Sequence, residues 1–510
     1  MKISLTIVAI LLVLAFPVKA QQSLPEDIVF KIKREAFQNS QIESLVFYLS
    51  DYAGPRLPAS KLGERAEIMA KDKLNTMGFS NARIEKAADF PKGGWDNLRT
   101  YAAMTTPYYC NFMATPKAWS GSTGGLIQGE VILLNVNSEN DLDNYKGKLN
   151  GRIVLMPQTS EYVMPFTPYA TRYTDERLEQ LAIDARGQPA PTSRLQAGRA
   201  AGIDMQQRIR DLLVNEKPAV IVNGGGSFNV TQSLSVAYKY GDPEPVSELV
   251  LPVEAHGRMV RLMKQYISVS MEVEVKNEFY DNRVINNVLA EIPGTDPKLR
   301  DEIVMIGGHL DSWHGGTGAT DNAAGCAVMI EALRIIKETG VQPRRTIRIA
   351  LWGGEEQNVV GSQAYMEANF YDINENKPRK AYDKFALYLN MDNGAGKFRG
   401  IYLEENDMAF PFFRAWNIPL ETLGFGVLSP RRTGWTDHVP FDKIGLPSFQ
   451  FIQDDLEYNR GYHTAMDTYE RLILSDLQYN AAVVACLALS AAMDDGKIPA
   501  KPLPADFSIQ

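Results

Sequence analysis

The stretch that decides the fold is IVMIGGHLDSWHGGTGATDNAAG, residues 303–325, together with RTIRIALWGGEEQ, residues 345–357. Ile303–Ile306 is a short apolar run that breaks at Gly307-Gly308 and delivers His309 and Asp311; Asp321 follows at the start of a helical pattern. Arg345–Trp352 is a second strand-like run, rich in β-branched and apolar residues, that breaks at Gly353-Gly354 and delivers Glu355 and Glu356. In an open α/β sheet, ligands bind beyond the carboxyl ends of the strands. Histidine, aspartate and paired glutamates at such ends are the residue types of a hydrolytic metal site.

Outward from this stretch, strand and helix patterns alternate. Strands are expected at 303–308, 345–352, 384–391 and 446–452, and helices at 322–339, 361–369 and 409–417. A last helix, with a capping box from Ser475 to Gln478, has the apolar centre AAVVACLAL, which is too short to span a bilayer and is expected to be buried. Strands alternating with helices imply a mixed, mostly parallel sheet sandwiched by helices. Towards the N-terminus, residues 21–50 read as helical, with Ile42, Leu45, Val46 and Leu49 on one face. A second helix is expected from Ser60 to Met77.

Between these parts the texture changes. GEVILLNV (129–136), GRIVLMP (151–157) and PAVIVNGGG (218–226) are short strands broken by glycine, with a charged helical segment at 196–217. The expected organisation is a catalytic segment 21–120, an inserted smaller β-rich domain 121–272, a second catalytic segment 273–496 and a tail 497–510. Residues 1–20, with Lys2, an apolar run and Val18-Lys19-Ala20, read as a signal peptide. The apolar run is shorter than the roughly 20 residues a membrane span needs. An exported protein, periplasmic or extracellular, with no stable membrane span after signal removal follows from that reading.

The 510 residues carry a net charge of −8 and 22% charged residues, a globular composition without the basic footprint of a nucleic-acid binder. The three cysteines, Cys110, Cys326 and Cys486, do not make a disulfide scaffold. None has a local basic partner that would activate a thiol nucleophile.

Two more motifs complete the candidate site. FALYLNMDNGAG ends a strand at Asp392, and RGYHTAMDT presents His463 in a loop. His309, Asp321, Glu356, Asp392 and His463 are more ligands than one zinc needs, and suffice for two if one carboxylate bridges. Two metals would then sit roughly 3.5–4 Å apart. Of the adjacent Glu355 and Glu356, one can ligate while the other stays free as general base. Asp311, two residues past His309, is placed to hold the second ring nitrogen. His256 reads as a structural or surface histidine, and His314 as no ligand. Asp437 and His438 stay open between a helix cap with a structural histidine and, as the family resemblance described next implies, a place on the substrate side.

GGHLDSWHGGTGATDNAAG, WGGEEQNVVGSQAY, NMDNG, TDHVPFDKIGLPSFQF and YHTAMDT together resemble the co-catalytic zinc exopeptidases, which include bacterial aminopeptidases and, closest at HLDSW, the carboxypeptidase Q branch. DYAGPRLPAS resembles that family's N-terminal segment, and the inserted block its protease-associated domain. The resemblance implies two Zn2+ per chain, with His309, Asp321 and Asp392 on one and Glu356 and His463 completing the other, bridged by Asp321. It implies Glu355 as general base, Asp311 as the group orienting His309, and Tyr462 as a donor to the oxyanion. The expected activity is exopeptidase hydrolysis of peptides or dipeptides, from either end; a homodimer is compatible with it. The alternatives are a glutaminyl cyclase-like acyltransferase on the same fold and a non-catalytic binding module.

Overall fold

The computed structural model describes residues 23–503, except 137, 158–160, 184–198 and 229. The proposed signal peptide and the end of the tail lie outside the described residues.

Two eight-stranded sheets organise the chain. The first runs in the order Ser80–Asp89, Val284–Ile292, Thr346–Trp352, Ile303–His309, Phe385–Asn390, Ser448–Gln453, Phe398–Tyr402, Val427–Ser429. Its central strands, from Thr346–Trp352 to Ser448–Gln453, are parallel; antiparallel pairings flank them. Both faces are covered, which is why these strands read as continuous apolar runs rather than alternating ones. Val304, Ile306, Ile347, Ile349, Leu387 and Leu389 face the core under helices Ala324–Glu338 and Leu474–Met493. Met305, Trp352, Phe385 and Tyr388 face the opposite side, against Tyr365, Phe370 and Phe441. This is the mixed, mostly parallel, helix-sandwiched sheet expected. Leu474–Met493 is long and apolar enough to cross a membrane by composition, and 89% of that stretch is buried inside the fold.

The helix Lys61–Thr76 starts where expected, with the Ser60 side chain accepting from Gly63 N. The segment read as helical at 21–50 is helical in pieces, Glu26–Gln38, then Ile42–Phe47 and a π-helical turn Tyr48–Tyr52; between the first two, Gln41 N donates to Glu331 Oε1 at 3.0 Å. One local expectation fails. The capping box at Ser475 is not used. The last helix begins one residue earlier, at Leu474, and Ile473 O accepts from Asp476 N and Leu477 N.

The second sheet is wider than the block 121–272. Its strands are Cys110–Asn111, Gly94–Thr106, Ser270–Tyr280, Ile127–Leu133, Ile153–Leu155, Val220–Gly224, Ser247–Leu251 and Thr115–Pro116, in spatial order. Gly94–Thr106 pairs antiparallel along its length with Ser270–Tyr280. Both long strands lie wholly or mainly in segments read as catalytic, yet their buried residues Ala102, Met104, Val273 and Val275 pack with Val131, Val220 and Leu249 of the insert.

Candidate metal centre

His309, Glu356 and Asp392 leave the same edge of the first sheet, and Asp321 and His463 reach it from loops. His309 is the last residue of its strand, and Asp392 lies two past Asn390. Glu355 and Glu356 open a short turn three and four residues past Trp352. The glycine breaks have a steric cause. A Cβ on Gly307 would stand 2.2 Å from Ala350 O, and one on Gly308 2.6 Å from Met391 O. Gly354 adopts φ +71°, which favours glycine.

The side chains converge in two groups. His309 Nε2 lies 3.2 Å from Asp321 Oδ1 and 3.5 Å from Asp392 Oδ1. His463 Nε2 lies 3.2 Å from Asp321 Oδ2 and 2.9 Å from Glu356 Oε2. In each group, His309–Asp321–Asp392 and Asp321–Glu356–His463, the ligand atoms lie within 4.8 Å of one another. Asp321 gives one oxygen to each. His309 Nε2 and Glu356 Oε1 are buried without a hydrogen-bond partner. Such atoms are costly unless something else satisfies them, and a nitrogen and oxygen donor set of this kind suits zinc.

Electrostatics agrees with closely packed ligands. Burial would lower the pKa of His463, but Glu356 and Asp321 outweigh it and raise it to about 11. Burial pushes Glu356 up to about 7 and Glu355 well above the ordinary carboxylate range, against the opposing pull of His309. A bound cation would reverse much of this by stabilising the anionic carboxylates.

Asp311 meets the second ring nitrogen of His309 chiefly through its backbone. The histidine's Nδ1 is 3.0 Å from the Asp311 backbone carbonyl, and 3.7 Å from the carboxylate. The carboxylate instead accepts from Glu355 N at 3.1 Å and Glu356 N at 3.2 Å. Asp311 therefore fixes both glutamates, through their backbone, as well as the histidine. Tyr462 stacks on Tyr458, with ring centroids 5.1 Å apart, and lies against the His463 ring at 4.6 Å. His256 Nε2 donates to Met156 O at 3.0 Å, and His314 Nε2 lies 2.7 Å from Pro116 O; neither joins a ligand group. Asp437 and His438 are fully buried; His438 Nε2 is 3.0 Å from Thr433 Oγ1, which suits a structural histidine.

Three contributors escaped the sequence reading. Asp467 accepts from Thr320 N at 2.6 Å, Thr320 Oγ1 at 2.8 Å and Asp321 N at 3.1 Å, clamping the shared carboxylate's backbone. Its place in YHTAMDT was the available signal. Arg56, fully buried, donates to the carbonyls of Leu49, Leu310, Thr317 and Gly318. Tyr458 has its phenol held well above its ordinary pKa, by burial first and then by Asp321, Asp392 and Glu356.

Residues 287–488 match the profile of Peptidase family M28. That stretch is similar to an M28 peptidase domain. Over 465 residues it is 25% identical to carboxypeptidase Q of Mus musculus, covering 91% of this chain and 88% of that protein. Its fold is similar to that of a peptidase M28 precursor from Shewanella amazonensis SB2B, with a TM-score of 0.67 and 23% identity over 94% of this chain and 99% of that one. It is also similar to a zinc aminopeptidase from Bacillus subtilis, with a TM-score of 0.54 and 18% identity over 89% of this chain and 94% of that one. The co-catalytic zinc exopeptidase resemblance read from the motifs is borne out at the level of family. Both ligand groups fall between His309 and His463, inside the matched residues.

Proposed function

We propose that this protein is a two-zinc exopeptidase that hydrolyses the terminal peptide bond of short peptides or dipeptides. The observation that carries this is the shared carboxylate: Asp321 offers one oxygen to each of two adjoining ligand groups. In this reading His309 and Asp392 complete one metal position and Glu356 and His463 the other. Bound there, the ions would polarise the scissile carbonyl and acidify a water. Glu355, in no ligand group, would serve as the base that takes the proton of the attacking water and returns it to the leaving amine. Asp311 holds Glu355 in place through its backbone N–H. Tyr462 donates to the developing oxyanion. The N-terminal pattern of residues 1–20 adds export, with a mature chain beginning near Gln21.

The likeness to carboxypeptidase Q supports action on dipeptides or at carboxyl termini, and the likeness to an aminopeptidase supports the amino end. Product analysis on free dipeptides, N-blocked peptides and C-amidated peptides separates them. Cleavage of C-amidated but not N-blocked substrates means an aminopeptidase, and the reverse a carboxypeptidase. Cleavage of free dipeptides alone means a dipeptidase. All cleavage is expected to cease on chelation and return with zinc. No hydrolysis under any metal loading would sink the reading, and cyclisation of a glutaminyl peptide instead would favour the acyltransferase.

A further inference from the structure

We infer that the second sheet completes only one of the two metal positions: the segment Thr231–Ser233, which follows its strand Val220–Gly224, sets the His463 loop and hence the affinity of the Asp321–Glu356–His463 group. The inference rests on the two-metal reading above. The two histidines are held in different ways. His309 ends a central strand, and its side chain is only 1% exposed. His463 lies in a loop at φ +56°, a left-handed conformation that a non-glycine residue adopts only at a cost. Its side chain is 31% exposed, against 5% or less for Asp321 and Glu356. Burial does little to fix it, so its backbone must.

That backbone is held from the second sheet. Ser233 N donates to His463 O at 2.7 Å, and Ala465 N donates to Thr231 O at 3.1 Å. Gln232 and Thr464 face each other between these bonds as an antiparallel bridge. Ser233 Oγ also accepts from Gly315 N at 3.0 Å, in the loop that joins His309 to Asp321. Thr231 and Ser233 are buried, and Thr231 Oγ1 is fixed by Thr115 Oγ1 at 2.5 Å. The approach is close on all sides. A Cβ on Gly315 would lie 2.4 Å from Ser233 Oγ, and one on Gly316 would lie 2.8 Å from Thr464 O.

The other group is held chiefly from the first sheet. Asp392 is held by Gln450 Nε2 at 2.8 Å and Gln453 Nε2 at 2.5 Å, both donating to its carbonyl from a strand of the first sheet. Asn322 Nδ2 donates to Met391 O at 2.8 Å and ties the Asp321 loop to it. The second sheet touches the His309–Asp321 loop at Gly315 and His314, between the two ligands, whereas at His463 it bonds the ligand's own backbone. Ser233 is a positioning residue, acting through the His463 backbone.

The test is zinc stoichiometry and affinity by chelator competition on the full chain, with circular dichroism to confirm folding. Wild type is expected to hold two zinc ions. Ser233→Pro, which removes the N–H that His463 O accepts, should weaken one ion at least tenfold and change the other less than threefold. Ala465→Pro, which removes the N–H that Thr231 O accepts on the other side of His463, should weaken the same ion at least threefold; it decides the matter if Ser233→Pro does not fold. A wild-type stoichiometry of one would overturn the two-metal reading and this inference with it. A stoichiometry of two, with both ions or neither weakened in the variants, overturns this inference alone.

Discussion

Glu355 and Glu356 are chain neighbours with different surroundings, and that difference divides their work. Glu356 Oε2 sits 2.9 Å from His463 Nε2 within a ligand group, whereas Glu355 belongs to neither group. Both backbones are held by one carboxylate, Asp311, so a change at either side chain leaves the turn in place. Glu355→Gln is expected to keep its zinc and lose about 10²–10⁴-fold in kcat, the range a general base contributes. Glu356→Gln is expected to lose zinc first and activity as a consequence. Metal content measured beside kcat separates the two. A Glu355→Gln enzyme as active as wild type would remove Glu355 from the mechanism.

At the scale of elements, the loop from His309 to Asp321 is the part that must not move, because it carries a ligand at each end. Arg56 holds it. Its guanidinium donates to Leu310 O at 2.6 Å, Thr317 O at 2.6 Å and Gly318 O at 2.8 Å, and to Leu49 O at 2.7 Å on the N-terminal segment. A lysine has no planar fan of donors and cannot reach carbonyls on several sides at once. Arg56→Lys is therefore expected to destabilise the fold by about 2–4 kcal/mol, the scale of a broken buried polar network. It should also make zinc easier to strip, which thermal melts with and without chelator would measure; melts unchanged in both conditions would refute the role. This element also marks the limit of what the sequence discloses. The central strands were legible because burial on both faces writes an uninterrupted apolar run, and the ligands because glycines forced by close approach precede them. Arg56 was not, since its acceptors lie up to 262 residues away and carbonyls leave no trace in a sequence. The same holds for Gly94–Thr106, whose pairing with Ser270–Tyr280 spans the insert and moved the sheet boundary away from the change in texture at residue 121.

For the whole molecule, the question is what keeps the two sheets in register, since the metal centre lies where they meet. Besides the Ser233 contact, Arg172 of the second unit reaches Asp454 at 2.7 Å and Asp476 at 2.8 Å. His314, from the ligand loop, places Nε2 at 2.7 Å from Pro116 O, with its ring edge-on to Trp95 at 5.1 Å. Burial lowers the pKa of His314 to about 4, against a partial opposing effect of that carbonyl. Its Nδ1 is buried without a partner, so protonation would place an unsatisfied N–H and a charge in the junction. The sign follows from linkage. Between about pH 6.5, the usual unfolded value, and about pH 4, the unfolded chain binds the extra proton and the folded chain does not. The contribution of His314 is thus complete above pH 6.5 and is lost as the pH falls towards 4. At 1.36 kcal/mol per unit, this amounts to about 3 kcal/mol. His314→Gln retains an amide N–H for Pro116 O and cannot titrate. Its melting temperature should therefore fall less than that of wild type between pH 7 and pH 4.5, in metal-free protein so that acid release of zinc does not contribute. Equal falls in the two proteins would show that the junction yields to acid elsewhere.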